Sequence, residues 1–180
     1  AVAAGALAGT ASPPPEITLR AASERKLGRA DVRGLAALPD GQAAMLVVAP
    51  VAPPRATLII LDAQGRVVRT QDCTGSLTDG LAWDGRQFWS CGETAAGPAR
   101  LHRVSPSSLA SVASWPLPGR RPRGVAWDGR RVWIADRDAG RLIAFDPERG
   151  RVLEAPPAPG LSPTGLAWDG ADLWVADAGA

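Results

Sequence analysis

The chain has 180 residues, a formal net charge of +2 and seven tryptophans. This length is enough for one domain with a buried core, and the nearly balanced charge favours neither a nucleic acid nor a membrane surface as partner. No window approaches the roughly 20 apolar residues that a membrane-spanning helix needs, so we expect no transmembrane segment in this sequence.

Residues 1–16 are rich in alanine, glycine and proline. The first nine (AVAAGALAG) have the composition of the end of a signal-peptide apolar region, with small residues near a cleavage point. The following run Pro13–Pro15 suits a linker better than a central strand. An export-leader remnant and a Pro-rich linker are both compatible with this stretch. The leader interpretation predicts a location outside the cytoplasm, either periplasmic or secreted.

Residues 17–33 are predicted to form a lead-in strand and a connection. Ile17–Arg20 is a short β-prone piece that stands before the first repeat. In closed repeat folds, such a leading strand often completes the last repeat of the ring. An isolated edge strand is the alternative interpretation.

One recurring motif organises residues 34–180. It reads GVAWDGRRVWIAD and GLAWDGADLWVAD in its clearest copies, GLAWDGRQFWSCG in a looser copy and GLAALPDG in a weaker one, and these begin at Gly124, Gly165, Gly80 and Gly34. A repeat of about 40–45 residues that holds four strands is typical of a β-propeller blade. We therefore predict an all-β propeller of four-stranded antiparallel blades, about three and a half of them, at 34–79, 80–123, 124–164 and an incomplete 165–180.

The third repeat shows the predicted order of strands within a blade. Asp128-Gly129 separates two apolar runs and predicts a hairpin, with the type I′ turn in which both central residues have positive φ. The second strand, Val132–Ala135, is apolar at every position, as expected for a strand buried on both faces. A third strand follows at Leu142–Phe145, and the polar segment Arg151–Glu154 is predicted as the outer strand.

The repeat also resembles a known group of proteins. The pattern Pro-x-Gly-[Leu/Val]-Ala-Trp-Asp-Gly-x-x-[Leu/Val]-Trp-[Val/Ile]-Ala-Asp, followed by Leu-x-x-Phe-Asp-Pro, is similar to repeats of six-bladed bacterial propellers, the group around NHL repeats, gluconolactonase-like proteins and glutamine cyclotransferases. The resemblance implies a ligand- or protein-binding scaffold, which we favour over an enzyme. The alternative that it implies is a metal-dependent lactonase or hydrolase, or a cyclotransferase.

The enzyme alternative implies a cofactor. Gluconolactonase-like enzymes hold a divalent metal in the central channel with a set of Glu and Asn or Asp residues, so the resemblance implies Ca²⁺. The chain contains no asparagine, and that set cannot be placed on its residues. The sequence therefore assigns no catalytic residue and no metal ligand.

Candidate ligand-binding residues follow from the propeller topology. The loop that enters the first strand of a blade and the loop that leaves the second lie on the same face of the ring, where we expect a protein or carbohydrate ligand. The candidates are the residues before each repeat glycine and those after the second strands: Arg33, Asp79, Arg123 and Thr164 near the channel, and Glu93, Arg137 and Asp138 further out.

The most regular residues of the motif are predicted to be structural. Trp83, Trp127 and Trp168 can stack on a sugar, but a residue at a fixed repeat position more often fills the space between blades. Asp136 and Asp177 end second strands, where they either cap backbone amides or face a cation, and we favour capping. Because the tryptophans are predicted to be buried, they do not favour binding to nucleic acid.

The two cysteines lie on the predicted ligand face. Cys73 is in the loop that enters the second blade, and Cys91 is at the end of the second strand of that blade. An export-like leader indicates an oxidising compartment, and in such a compartment two cysteines favour a disulfide between them. A pair of buried thiols is the alternative.

Overall fold

A computed structural model of the chain describes residues 3–6, 31–52, 54–94 and 97–179. Three four-stranded antiparallel sheets and one three-stranded sheet follow one another along this part of the chain. Each four-stranded sheet pairs its strands in chain order, which confirms the predicted all-β blades. The described part of the chain contains no helix with the length and hydropathy of a membrane span.

The strands are bounded as follows. Strand β1 is Ala3–Ala6, and blade one contains β2 (Asp31–Ala37), β3 (Ala43–Ala49), β4 (Arg55–Leu61) and β5 (Val67–Asp72), with a 3₁₀ turn at Pro39–Gly41. Blade two contains β6 (Asp79–Trp83), β7 (Phe88–Thr94), β8 (Gly97–Val104) and β9 (Ser111–Pro116). Blade three contains β10 (Pro122–Trp127), β11 (Val132–Asp136), β12 (Arg141–Asp146) and β13 (Arg151–Glu154), and blade four contains β14 (Pro163–Trp168) and β15 (Leu173–Asp177).

The repeat glycine allows the first strands of neighbouring blades to pack closely. Strands β2, β6, β10 and β14 lie side by side and line the central channel. A Cβ atom on Gly34 would lie 2.6 Å from the backbone nitrogen of Leu81, and one on Gly124 would lie 2.8 Å from that of Leu166. Real Cβ atoms do not approach backbone this closely, so a side chain at either position would push the blades apart.

The Trp-Asp-Gly motif forms a hydrogen-bonded turn between the first two strands of a blade. In blade three, Asp128 Oδ1 accepts the backbone N–H groups of Arg130 (2.8 Å) and Arg131 (2.6 Å). The other oxygen, Oδ2, accepts the indole Nε1–H of Trp133 at 2.8 Å. Blades two and four repeat this arrangement, with Asp84–Trp89 and Asp169–Trp174 at 2.7 and 2.6 Å.

The predicted type I′ geometry is wrong for these turns, although the hairpins themselves are present. Only the glycine of each Asp-Gly pair has positive φ, at 96° for Gly85, 92° for Gly129 and 105° for Gly170. The aspartate instead precedes the turn and caps its amides, as in an Asx turn, and this does not require a left-handed aspartate. In blade one, Asp40 and Gly41 both have positive φ, but they belong to the 3₁₀ turn.

The hydrogen bonds of the turn make one of these aspartates unusually acidic. The backbone N–H of Asp172, then the indole of Trp174 and the N–H of Ala171, lower the pKa of Asp169 from 3.8 to about 2. Since the folded pKa lies below the unfolded one, the stabilisation is present above pH 3.8 and is lost as the pH falls through about 2.

We therefore expect the Asp169 carboxyl to titrate near pH 2 in an NMR pH series, and its midpoint to rise in the Trp174→Phe variant. A midpoint near 3.8 in the unmodified protein would contradict the hydrogen-bonded turn.

The core consists of three apolar layers, one between each pair of neighbouring blades. Leu46 and Leu58 of blade one pack with Phe88 of blade two, and comparable layers join blades two and three and blades three and four. All five residues of β11 are buried, whereas β13 has exposed or partly exposed residues throughout. This confirms the predicted gradient from apolar inner strands to polar outer strands.

The four residues that the structure describes near the beginning of the chain form a strand. Ala3–Ala6, expected to belong to a leader remnant or linker, forms β1 and pairs antiparallel with β15 as the third strand of blade four. Without β1, one edge of β15 would keep unpaired backbone groups, which an edge strand tends to satisfy by recruiting another strand. The piece predicted to fill this role, Ile17–Arg20, lies outside the described residues. Blade one also begins earlier than predicted, since β2 starts at Asp31.

The predicted disulfide between Cys73 and Cys91 is wrong, because both thiols are free and buried. Cys73 packs with Leu46 and Phe88 between blades one and two, whereas Cys91 packs with Val125 between blades two and three. The sheet of blade two separates the two layers. Burial raises the pKa of Cys73 to about 12 and that of Cys91 well above its ordinary value, so both thiols stay protonated at neutral pH.

Candidate functional site

The residues that precede the repeat glycines come together at one end of the channel. They begin neighbouring inner strands, so each lies beside the next around the mouth of the channel. Asp79 lies between two arginines: its Oδ1 accepts a hydrogen bond from Arg33 Nη1 at 3.2 Å and one from Arg123 Nη1 at 2.7 Å. One carboxylate therefore links the inner strands of three blades.

A second group of charges surrounds this triplet. Glu93 lies 3.8 Å from Arg123 Nη2 and 3.4 Å from Arg121 Nε, and Arg121 Nη1 lies 3.9 Å from Asp138. Asp31 pairs with Arg33 at 3.2 Å. We call the set of Asp31, Arg33, Asp79, Glu93, Arg121, Arg123 and Asp138 the channel-face cluster.

Two predicted site residues lie on the same face but outside the ion pairs of the cluster. Arg137 donates its Nε–H to Ser162 Oγ at 3.0 Å. Thr164 donates its hydroxyl to the carbonyl of Ala176 at 3.3 Å and lines the channel mouth. All seven predicted positions are thus on one face, and five of them belong to the channel-face cluster.

The sequence prediction did not single out Asp31 and Arg121. Asp31 forms an ion pair with Arg33, which is the extra residue of a bulge in β2 between Val32 and Gly34. Arg121 belongs to the dense basic run Arg120-Arg121-Pro122-Arg123. The position of Asp31 relative to Arg33 depends on this bulge, and the position of Arg121 depends on the path of the loop before β10; strand alternation predicts neither.

Beside Arg33 of the cluster lies an open cavity of about 440 Å³, which the inner strands line together with Trp174, Val175 and Ala176 of β15. The apolar residue after each repeat glycine contributes to its wall, while Arg33 and Thr164 lie at its rim; the wall residues are Leu35, Leu81, Val125 and Leu166. Ligand sites of folded proteins have this size, with mainly apolar walls and a few polar groups that fix orientation. The cavity and cluster together have the character of a binding site for a small ligand.

The arginines of the cluster keep hydrogen-bonding capacity. Arg33 and Arg123 each have a buried Nε–H with no acceptor among the described residues. Buried donors are usually paired, and charged donors form the strongest hydrogen bonds. A ligand acceptor such as a carboxylate can reach these arginines through the exposed parts of their side chains, which are 32 % exposed for Arg33 and 17 % for Arg123.

The Ca²⁺ site implied by the enzyme alternative does not fit this face. The acidic side chains Asp79 and Glu93 are both ion-paired with arginines, which compete with a cation. Among residues 31–52, 54–94 and 97–179, no group of three or more His, Cys, Asp or Glu side chains could hold a metal ion. We therefore derive no metal-dependent step.

Asp136 and Asp177 cap backbone amides, in agreement with the favoured prediction. Asp136 Oδ1 accepts the N–H of Arg121 at 3.3 Å, and Asp177 Oδ2 accepts that of Ser162 at 2.8 Å. Glycines fit against both carboxylates: a Cβ at Gly119 or Gly160 would lie 2.3 or 2.2 Å from the nearer carboxylate oxygen. The aspartates thus fix the loops that lead into β10 and β14.

The tryptophans of the motif pack between blades, as predicted. Trp83 contacts Phe88 with ring centroids 4.8 Å apart and lies against the layer between blades one and two. Trp127 and Trp168 pack against the two following layers. Trp115, outside the motif, stacks on Trp89 at 5.7 Å.

Comparison with known proteins supports the fold. No family model matches the chain, and no curated protein matches it. Among solved structures, a protein of unknown function from Bacteroides caccae is 17 % identical, with a TM-score of 0.54, over 83 % of this chain and 57 % of its own. The WD40 β-propeller domain of Doa1 is 12 % identical, with a TM-score of 0.55, over 81 % of this chain and 47 % of its own. The WD40 repeats of RRP9 are 11 % identical, with a TM-score of 0.54, over 79 % of this chain and 43 % of their own.

These identities are too low to carry function across, and they establish the fold alone. The chain spans about half the length of the solved structures that it matches. The sequence repeat, the sheet topology and the similar solved structures all indicate a β-propeller scaffold of about three and a half blades.

Proposed function

We propose that the protein is a binding scaffold whose channel face holds an acidic ligand with an apolar body. The observation that carries this proposal is that Asp79 joins Arg33 and Arg123 at the channel mouth, beside an apolar cavity that Arg33 and Thr164 line. These positions differ from blade to blade, whereas the residues that follow them repeat. A scaffold that repeats its packing residues and varies its rim is organised for recognition.

The chemistry of the rim selects the ligand class. A carboxylate can pair with the partly exposed side chains of Arg33 and Arg123 in addition to their existing contacts with Asp79. The apolar body would replace water along Leu35 and Leu166. A sugar acid that carries an aromatic substituent combines both features and makes a suitable probe.

The experiment compares two matched probes by isothermal titration calorimetry, para-nitrophenyl glucuronide and the uncharged para-nitrophenyl glucoside. We expect the glucuronide to bind at least about 10-fold more tightly, because a hydrogen bond to a charged group contributes about 1.5–3 kcal/mol. Arg33→Ala and Arg123→Ala should each reduce the affinity for the glucuronide about 10-fold.

The control is Arg86→Ala, which removes an exposed arginine from the turn at the other end of blade two and should leave the affinity unchanged. Thermal melting of each variant establishes that it is folded. Equal binding of the two probes, binding of neither, or unchanged affinity in both rim variants would each refute the proposal.

Two finer points rest on the sequence alone. Membership of the NHL-like, six-bladed group stays a prediction from the repeat motif. Export from the cytoplasm stays a prediction from the composition of residues 1–9. The binding proposal depends on neither.

A further inference from the structure

A second cavity lies at the opposite ends of the strands from the channel-face cluster. It measures about 770 Å³ and lies between the Trp-Asp-Gly turn of blade three (residues 128–131) and the turn that joins β12 to β13 (residues 146–149). Its other lining residues are Trp127 and Leu153 of blade three and Trp168 of blade four. We call this cavity the turn-face groove. It shares no lining residue with the cavity beside Arg33.

Two tryptophans supply the aromatic surface of the groove. Trp127 and Trp168 end the inner strands of blades three and four, and each is partly buried against the apolar layer that joins its blade to the preceding one. Trp168 therefore reaches the groove from the side of blade four that packs on blade three. Leu153, on the outer strand of blade three, is 44 % exposed and extends the apolar surface. Accessible indoles of this kind bind ring-shaped apolar groups.

Two arginines supply hydrogen-bond donors to the groove. Arg131 is held by Asp128 at 2.9 Å and by Glu154 at 3.2 Å. Arg149 donates from Nη1 to Asp146 at 2.8 Å. Among the described residues, the Nη2 groups of both arginines have no acceptor, and the two side chains are 34 % and 64 % exposed. A ligand can therefore reach these donors, and Arg131 is already fixed in position.

The aspartates inside the groove already have hydrogen-bond donors. Asp128 accepts two backbone N–H groups at Oδ1 and two side-chain donors at Oδ2. Since a carboxylate has about four lone-pair positions, this group is saturated. Asp146 accepts from the backbone of Glu148 and twice from Arg149, and its side chain is only 11 % exposed. Apart from Glu148 at the exposed rim, the acidic side chains of the groove thus have little accepting capacity left.

The groove carries no net charge. Its charged lining residues are three arginines and three acids: Arg130, Arg131, Arg149, Asp128, Asp146 and Glu148. Two of the arginines are paired with the two aspartates, so their charges are neutralised within the protein. The groove therefore suits an uncharged ligand that has apolar rings, many acceptors and few donors.

We propose that the turn-face groove binds a proline-rich segment of a partner protein in the polyproline II conformation. This conformation has no internal hydrogen bonds, so its backbone carbonyls are free to accept from Arg131 and Arg149. Proline itself has no N–H and needs no acceptor. Its rings fit against indoles, as in other aromatic-lined grooves that bind proline-rich segments. A neutral sugar matches less well, because its hydroxyl groups also need acceptors.

Isothermal titration calorimetry with acetylated decaproline amide tests the proposal. The control is an acetylated Gly-Ser decapeptide amide, which has as many backbone carbonyls on a flexible chain. We expect decaproline to bind at least about 10-fold more tightly, because its conformation is already formed. A saturating concentration of para-nitrophenyl glucuronide should leave this affinity unchanged, since the two cavities share no residue. This inference does not depend on the proposed function of the channel face.

Each groove variant has a matched control in another blade. Arg149→Ala should weaken decaproline binding about 10-fold, because it removes a charged donor. Arg66→Ala removes an exposed arginine that is paired with Asp62 in the corresponding turn of blade one, and it should have no effect. Trp168→Leu keeps an apolar side chain without the indole and should weaken binding at least about 10-fold. Trp83→Leu, at the same position of blade two, should leave it unchanged.

Thermal melting establishes which variants are folded. Arg149→Ala changes an exposed side chain and tests the groove even where Trp168→Leu does not fold. Equal binding of the two peptides, binding of neither, or competition with the glucuronide would overturn the proposal. Losses in the control variants as large as those in the groove variants would overturn it as well.

Discussion

Replacing Gly124 by alanine is expected to lower the free energy of unfolding by about 1–3 kcal/mol. The added Cβ would lie 2.8 Å from the backbone nitrogen of Leu166 and 2.9 Å from the backbone of Gly165. Backbone cannot move aside as a flexible side chain does, so the inner strands of blades three and four must separate. The loss can be measured by urea unfolding followed by tryptophan fluorescence.

The matched control is Gly165→Ala, the same substitution at the same position of the next repeat. Its Cβ would meet only Ala176, at an ordinary contact distance of 3.4 Å. This variant should keep the free energy of unfolding of the unmodified protein. Equal losses in the two variants would show that close approach of the strands is not what requires glycine.

Replacing Asp128 by alanine is expected to lower the free energy of unfolding by about 2–4 kcal/mol. The carboxylate holds the N–H groups of Arg130 and Arg131 and the indole N–H of Trp133. In the variant the two amides can form hydrogen bonds with water instead. The indole of Trp133 is buried, and a buried donor without an acceptor costs about 1–3 kcal/mol. Loss of the hydrogen bonds that cap the two amides lowers the free energy of unfolding further.

A double-mutant cycle with Trp133→Phe isolates the indole contribution. Since Trp133→Phe removes the donor and keeps an aromatic ring, the two substitutions should be non-additive by about 1 kcal/mol. Urea unfolding of the four proteins measures this coupling. Strict additivity would mean that the hydrogen bond between Asp128 and Trp133 contributes nothing to stability.

The sequence was sufficient to predict the architecture because the repeated residues are those that pack neighbouring blades together. The glycine, the apolar residue after it and the tryptophans recur because each blade makes the same contact with the next, as Gly34 and Leu81 show. The pairing of Asp128 with Trp133 was also within reach, since a constant spacing of five residues separates the two in three repeats. The turn type was not, because the aspartate acts through its side chain rather than through a left-handed backbone.

The cysteines show where sequence reasoning fails. Cys73 and Cys91 were placed on the correct loop and strand, but a strand has two faces. Side-chain direction puts Cys91 between blades two and three, while Cys73 enters the layer between blades one and two. The positions of the two cysteines along the chain do not determine which face of the sheet each side chain occupies.

The candidate site was predictable by position but not by chemistry. Propeller topology places the residues before the repeat glycines on one face, and the structure brings Arg33, Asp79 and Arg123 into direct contact there. That Asp79 bridges both arginines, rather than facing a cation, follows from distances that only the fold supplies. Within the described part of the chain, the same distances leave the Nε–H groups of the two arginines without acceptors.

The most direct measurement is a map of backbone amide shifts as para-nitrophenyl glucuronide is added to isotope-labelled protein. If the varied residues before the glycines form the site, the largest shifts will fall on the amides of Gly34, Gly80, Gly124 and Gly165. The turn amides at Arg86 and Arg130, which the Trp-Asp-Gly motif holds, will remain unchanged. Shifts confined to those turns would contradict a division between a repeated scaffold and a varied binding face.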